Sequence, residues 1–433
     1  MRWAPLLLLP LLAACEDVSP PDLSLVPDDD DDSTEDVALL CPDGLSAAPE
    51  EGAYVAQDAL PVTGQRADCT SPVHATAGAA GSTLRVELSS WGGAGTVTLR
   101  VSDLLGNQVA SVGGLSPNEG LDVPLDRSGE WLVTVSPDDP QEPGANYGLR
   151  ASCVDGCNAR YTRYPIVLVH GMAGTDSYLG GYDYWWQVLP DLTADGYLAF
   201  TPAVDALAPP PSRAEQWSAI LDQLILDGQG RRFNLIAHSQ GGIDSRYLAT
   251  VLERGDVIAS ITTVATPHYG SGLADVAHGV IQVAPGTAEL VEDGLSALSD
   301  ALGLGPSQLL LATEAMTRPA MDAFNAAVPD HPDVRYFSWA GRTCGFVEFG
   351  CQDDMDGETV APYLIATYRA LQLLDGDNDG IVPTESSRWG EDLGTLGADH
   401  FDEIGQLVGL TDGGFDHRGF YLAEAFRLHQ ADL

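Results

Sequence analysis

Hydrophobic and polar positions follow two different rhythms along the chain. Between about residues 41 and 153, short runs alternate every second residue: Thr83-Leu84-Arg85-Val86-Glu87-Leu88, Gly95-Thr96-Val97-Thr98-Leu99-Arg100-Val101 and Gly129-Glu130-Trp131-Leu132-Val133-Thr134-Val135. Such alternation, bounded by Gly, Pro and Asn, predicts antiparallel strands and a small β-sandwich. After Tyr164 the alternation stops. Pro165-Ile166-Val167-Leu168-Val169 is a continuous apolar run ending in His170-Gly171, as expected of a strand buried on both faces. Ser212-Arg213-Ala214-Glu215 reads as a capping box, and Trp217, Ile220, Leu221, Leu224 and Ile225 recur at helical spacing until Gly228. Residues 233–237, 260–265 and 334–339 read as further strands. Strands alternating with helices predict a mostly parallel sheet with right-handed crossovers. Ala284-Pro285-Gly286-Thr287, followed by Leu290, Val291, Leu295, Leu298 and Leu302, adds a helix with an apolar stripe.

Composition sharpens this division. A chain of 433 residues is long enough for two folded units with tails. Its 20 basic residues are all arginine, against 63 acids, for a formal net charge of −43. A surface this acidic repels nucleic acid and anionic headgroups, so nucleic-acid binding is excluded as an expectation. The start reads Met1-Arg2, an apolar stretch from Leu6 to Ala14, then Cys15. Leu12-Ala13-Ala14-Cys15 looks like a bacterial lipobox, which predicts export and lipidation of Cys15; a plain secretion signal is the alternative. The uninterrupted acidic run from Asp28 to Asp32 self-repels and predicts an extended tether. The expected segments are a signal peptide over 1–14, a tether over 15–40, the β-sandwich over 41–158 and an α/β unit over 159–433. The protein is expected on the outer membrane or cell surface, or else secreted. Beyond Cys15, six cysteines remain, an even number that in an exported chain predicts disulfides. Spacing permits Cys344–Cys351 as a local bridge, and Cys41, Cys69, Cys153 and Cys157 could pair among themselves.

The candidate chemistry centres on Ala237-His238-Ser239-Gln240-Gly241, which follows an apolar run and puts a serine on a strand-to-helix turn. Small residues two before and two after the serine relieve crowding there; Ala237 stands where a G-x-S-x-G pattern has glycine. A helix N-cap is the bland alternative for Ser239. Acyl transfer also needs a base, a carboxylate to orient it and donors for the oxyanion. Asp379 and His400 supply the first two, and the order Ser239, Asp379, His400 is that of α/β-hydrolases. His170 and His238 read as structural, His238 being aimed away from the serine by the turn. Asp375-Gly376-Asp377-Asn378-Asp379-Gly380 also has the form of a calcium loop, but Ser386 occupies the twelfth position where a bidentate Glu is expected.

Several motifs together carry a resemblance: Tyr164-Pro165-Ile166-Val167-Leu168-Val169-His170-Gly171-Met172, Asp183-Tyr184-Trp185, Asn234-Leu235-Ile236-Ala237-His238-Ser239-Gln240-Gly241-Gly242, Arg246-Tyr247, Pro267-His268-Tyr269-Gly270-Ser271, Asn378-Asp379-Gly380 and His400-Phe401-Asp402-Glu403. In order over roughly residues 160 to 433, they resemble the Pseudomonas/Burkholderia type of bacterial true lipase. The resemblance implies an α/β-hydrolase fold with a helical lid, a Ser239 nucleophile, a His400 base with Asp379 as its partner, and an oxyanion hole from the amides of Met172 and Gln240. It implies lipid ester substrates at an interface and a structural Ca2+ held by Asp402, by the carbonyls of Gln406 and Leu410, and by Asp353 or Asp356. It implies that the helix after Ala284 is the lid, an ordinary fixed helix being the alternative. A dedicated folding chaperone is a further candidate partner. The chain departs from the family in having no cysteine near Glu385, so Cys344 and Cys351 suggest a different staple. The segment from Trp131 to Arg150 resembles, by composition, the pre-peptidase C-terminal type of secreted accessory domain. The expected activity is triacylglycerol hydrolysis, with an esterase or phospholipase A-type hydrolase as the nearer alternative. The distant alternative is an adhesion lipoprotein whose sandwich is the working part and whose hydrolase domain is inactive.

Overall fold

The computed structural model describes residues 51–65, 72–139, 145–174, 183–345, 358–406, 409, 411 and 414–433. Cys15, Cys41, Cys69, Cys351, Asp353, Asp356, Leu410 and the acidic run lie outside the described residues.

Eight strands precede the α/β region: β1 Val62–Gln65, β2 His74–Gly78, β3 Thr83–Trp91, β4 Val97–Ser102, β5 Gln108–Leu115, β6 Glu119–Pro124, β7 Gly129–Pro137 and β8 Asn146–Asp155. They form two antiparallel four-stranded sheets, ordered β1-β8-β3-β6 and β2-β7-β4-β5. The period-two pattern is the reason. Leu84, Val86 and Leu88 of β3 are buried while their neighbours are half-exposed, and they share one core with Val97, Leu99 and Val101 of β4, Trp131 and Val133 of β7 and Tyr147 and Leu149 of β8. Residues drawn alternately from both sheets thus make a single filling. Cys153 and Cys157 are disulfide-bonded at the end of β8. Cys344 is also disulfide-bonded, with its partner outside the described residues.

The second sheet region contains β9 Ile166–Val169, β10 Ala199–Phe200, β11 Phe233–His238, β12 Ile258–Val264, β13 Arg335–Arg342 and β14 Glu391–Gly397. All six are parallel, in the order β10-β9-β11-β12-β13-β14. Every residue of β9, β11 and β12 is buried, because helices cover both faces. The helices are α1 Val188–Ala194, α2 Pro210–Leu226, α3 Gln240–Thr250, α4 Gly272–Ala277, α5 Pro285–Leu302, α6 Pro306–Thr313, α7 Arg318–Ala327, α8 Ile365–Leu374 and α9 His417–Gln430. One face packs Ile166, Leu168 and Ile236 against Val188 of α1 and Tyr421 and Leu428 of α9. The other packs Val167, Leu235 and Ala237 against Trp217 and Leu221 of α2 and Leu248 of α3. Among the described residues no helix is long and apolar enough to cross a membrane.

The start of α2 corrects the capping-box expectation. The helix begins at Pro210, with Pro209 as its N-cap, so Ser212 lies inside the first turn. Prolines suit that turn because their φ is already helical and the missing N–H has no partner there anyway. Arg213, inside the same motif, is instead fully buried. The helix with the apolar stripe is α5, and it starts at a proline as expected. It lies so close to α8 that a Cβ on Gly294 would stand 2.8 Å from the backbone nitrogen of Thr367.

Candidate active site

Ser239 sits between the carboxyl end of β11 and the first turn of α3, at φ 56° and ψ −129°. Non-glycine residues rarely adopt such a conformation, and the surrounding packing must hold it. Two glycines permit the turn. A Cβ at Gly241 would stand 2.4 Å from the carbonyl oxygen of Val169, and one at Gly242 would stand 2.2 Å from Thr266 Oγ1. Ala237, where the pattern has glycine, pairs in register with Thr263 and Val169 inside the sheet, and its methyl fits a fully buried site.

His400 Nε2 lies 3.0 Å from Ser239 Oγ, and His400 Nδ1 lies 2.8 Å from Asp379 Oδ2. Asp379 is fully buried. Its other carboxylate oxygen accepts from the backbone amides of Ile381 and Val382 at 2.8 and 2.6 Å. The amide of His400 donates to the Asp379 carbonyl at 3.0 Å. The structure therefore brings Ser239, His400 and Asp379 into one hydrogen-bonded line. The rival calcium-loop geometry is not formed: Asp375 accepts from the Gly272 amide and pairs with Arg318, Asp377 pairs with Arg342, and Asp379 faces His400.

Met172 and Ser239 line the same cavity, and Gln240 is the first residue of α3. The loop after β9 passes so close that a Cβ on Gly171 would lie 2.7 Å from Ser239 Cβ. Arg213 supports that loop. Its guanidinium donates to the His170 carbonyl at 2.5 Å and to Asp244 Oδ2 at 2.6 Å, with both charged side chains fully buried. His170 Nε2 accepts from the Val204 amide, so His170 has the structural place expected of it.

His238 corrects one detail. It does not simply point away, because its ring packs on that of His400, with centroids 4.5 Å apart. Its Nε2 is hydrogen-bonded to Glu403 at 2.9 Å and its Nδ1 to the Tyr184 hydroxyl at 2.6 Å. That hydroxyl accepts from the Gly171 amide at 3.0 Å. Burial, with His400 nearby, holds His238 well below the ordinary imidazole range. Burial, reinforced by Asp379, Asp399 and Asp402, raises Glu403 well above the usual carboxylate range. A buried relay of four residues thus connects the His400 loop to the residue preceding Met172. Tyr184 and Glu403 stand within the motifs that carry the resemblance, without a catalytic part of their own. Their signal was only their membership of those motifs.

Asp402 stands in a second buried group with Glu358 and Asp399, their ligand atoms all within 4.8 Å of one another. Glu358 and Asp399 were not among the expected metal ligands, whereas Asp353, Asp356 and Leu410 lie outside the described residues. Asp399 accepts from the amides of Ala361, Phe401 and Asp402, and burial pushes it up to about 6. Glu358 accepts from Thr343 Oγ1 and the Asp399 amide, both at 3.1 Å. The Gln406 side chain donates to the carbonyls of Asp183 and Tyr184, tying the loop after His400 to the start of the relay.

Above Ser239 lies a narrow apolar cavity walled by Met172, Leu273, Leu295, Leu298, Met316 and Phe401. Its walls are hydrocarbon except at the serine, the histidines and a few hydroxyls. A lining of that kind suits an apolar ligand that carries one reactive polar group.

No protein-family model matches the chain. A triacylglycerol lipase of Vibrio cholerae is 34% identical over 293 residues, covering 63% of this chain and 89% of that protein. A triacylglycerol lipase of Pseudarthrobacter phenanthrenivorans is 30% identical, covering 58% of this chain and 91% of that protein. One of Pseudomonas fragi is 29% identical, covering 63% and 98%. Among solved structures, the mature form of a Bacillus licheniformis lipase covers 60% of this chain at 23% identity and a TM-score of 0.43. With a parallel sheet that carries a serine at the end of a central strand, and a lipase sequence matched along most of its own length, the chain belongs to the triacylglycerol lipase family of α/β-hydrolases.

Proposed function

We propose that the protein is an exported carboxylic ester hydrolase that cleaves acylglycerols through an acyl-enzyme on Ser239. The observation that carries this reading is the line Ser239–His400–Asp379 beneath an apolar cavity. His400 takes the serine proton as Oγ attacks the ester carbonyl, and Asp379 stabilises the imidazolium that forms. The tetrahedral oxyanion receives the amides of Met172 and Gln240. Collapse expels the alcohol, which takes the proton back from His400. Water then repeats the sequence on the acyl-enzyme, releasing the acid and restoring Ser239.

A structural calcium ion belongs to the same reading. Three buried carboxylates within 4.8 Å suit a hard, oxygen-seeking cation and repel one another without one. Glu358 and Asp402 would hold it, with the Gln406 carbonyl, and the ion would supply a fixed positive charge behind the His400 loop. Export and anchoring through a lipidated Cys15 complete the proposal, supported by the small-residue run before it and the acidic stretch after it.

The test is hydrolysis of a long-chain p-nitrophenyl ester and of emulsified triolein by the parent and Ser239→Ala, each with calcium and with a chelator. The expected result is activity in the parent alone, falling on chelation. A folded parent inert on every ester would overturn the reading and favour adhesion through the sandwich. Turnover that does not rise past the solubility limit of the substrate would make it an esterase rather than a lipase. Membrane retention that survives Cys15→Ser would remove the anchor.

A further inference from the structure

Beside the cavity over Ser239 is a second, mostly apolar groove of about 570 Å³, open to solvent on one side and walled by Val276 and Ala277 from α4, Ala288, Val291 and Leu295 from α5, and Leu309 and Leu310 from α6. Two residues, Ala277 and Leu295, wall both spaces. The underside of α5 runs across them in sequence. Leu295, Leu298 and Leu302 face the first, while Ala288, Val291 and Leu295 face the second. From Leu302 to Ala288 the helix extends about 21 Å at 1.5 Å per residue, comparable with an extended long fatty acyl chain. Ala277, the last residue of α4, puts only a methyl group at the partition. The polar residues of the second space are Glu292 and Ser296, both exposed at its rim. A carboxylate at that rim disfavours an anionic end group there, so an occupant would enter with its methyl terminus and keep its ester at Ser239.

We propose that the second space is a distal acyl site: it takes the far end of a long acyl chain whose carbonyl lies at Ser239, and Ala277 is the specificity-determining residue that lets the chain pass. The inference rests on the ester-hydrolase reading and adds a reason for the enzyme to prefer long chains. Each methylene moved from water to an apolar wall favours binding about fourfold, so a chain reaching the second space gains where one confined to the first has stopped gaining.

The experiment measures kcat/KM for p-nitrophenyl butanoate, octanoate, dodecanoate and hexadecanoate, below their solubility limits, in the full chain and in Ala277→Phe and Ala288→Phe. Ala277→Phe closes the partition, and Ala288→Phe fills the second space from a residue that does not wall the first. The parent should climb through to hexadecanoate, and each variant should lower the hexadecanoate-to-butanoate ratio by about tenfold or more. Thermal midpoints report folding. Should Ala277→Phe unfold, Ala288→Phe decides alone. A ratio unchanged from the parent in the folded variants overturns the distal site while leaving ester hydrolysis standing. A parent that cleaves none of the four esters overturns the underlying reading instead.

Discussion

The sandwich and the parallel sheet bury comparable cores in opposite ways. In β3 one face alternates inward while the other meets solvent, so its buried residues are aliphatic and polar residues lie outside. In β11 and β12 nothing faces solvent, yet Asn234, His238, Ser260, Thr262 and Thr263 are buried with the aliphatics. Each of these has a partner: Asn234 accepts from Ser260 Oγ and donates to the Tyr164 carbonyl, while Thr262 donates to Glu424. A doubly covered sheet can hold satisfied polar groups in a dry place, and the reactive line is built at its carboxyl edge. The sandwich also buries satisfied polar groups, among them His74 and Thr76 of β2 and Glu130 of β7, but none of them stands at a strand-to-helix turn with a serine.

Substitutions can test that division of labour. The largest effect is expected for Asp379→Asn, which should lower kcat by about 10⁴-fold while the thermal midpoint moves little, since the imidazolium loses its stabilising charge. Steady-state rates on a soluble ester decide this, and a loss under tenfold would place the orienting carboxylate elsewhere. Trp131→Ala, in the sandwich, should do the reverse. It removes a fully buried ring and should cost about 3–5 kcal/mol of stability in denaturant titrations, with kcat/KM per folded molecule unchanged. A sharper pair comes next. Gly241→Ala and Gly120→Ala each push a methyl to 2.4 Å from a carbonyl oxygen, of Val169 and Val86 respectively. Each should destabilise by about 1–3 kcal/mol, yet only Gly241→Ala should reduce kcat, because it displaces the serine turn. If Gly120→Ala also slowed turnover of folded protein, the two regions would not be functionally separate.

The smallest effect concerns acid. Burial, with Arg246 nearby, holds His268 well below its ordinary value of 6.5. The unfolded chain therefore binds a proton more readily than the folded one, so this group's contribution to stability is complete above 6.5 and is lost as pH falls below it. Between about pH 5 and 7 the melting temperature of the parent should rise more steeply than that of His268→Gln. Parallel slopes would show that the fold leaves His268 at its ordinary value.

Strand rhythm was readable wherever one face meets water, as in β3, and where an apolar run was bounded, as in β9. The serine turn and the order Ser239, Asp379, His400 were readable because the chemistry demands those groups in a turn and two loops. The start of α2 was misplaced because a polar motif with the right spacing lies inside a turn that two prolines had already begun. Glu358 and the relay from Glu403 through His238 to Tyr184 were hidden for a different reason. Their partners are far apart in sequence, and among 63 acidic residues nothing local marks the few that are buried. Long-range burial is set by the fold, and a single sequence shows it only where a periodic pattern repeats it.

Glu130 of β7 is almost wholly buried, and its two carboxylate oxygens meet Arg163 at 2.9 Å and Arg231 at 3.1 Å, the residues that lead into β9 and β11. Arg163 also lies over the ring of Tyr54, 3.5 Å from its centroid. The border between the two architectures is therefore a shared charge rather than a hinge. Excising the sandwich to obtain a minimal hydrolase would take both acids, Glu130 and Glu51, from Arg231 and leave Arg163 with Asp432 alone, and swapping in a different β unit would require a buried acid in place of Glu130. Modularity here stops at a buried carboxylate that both units share.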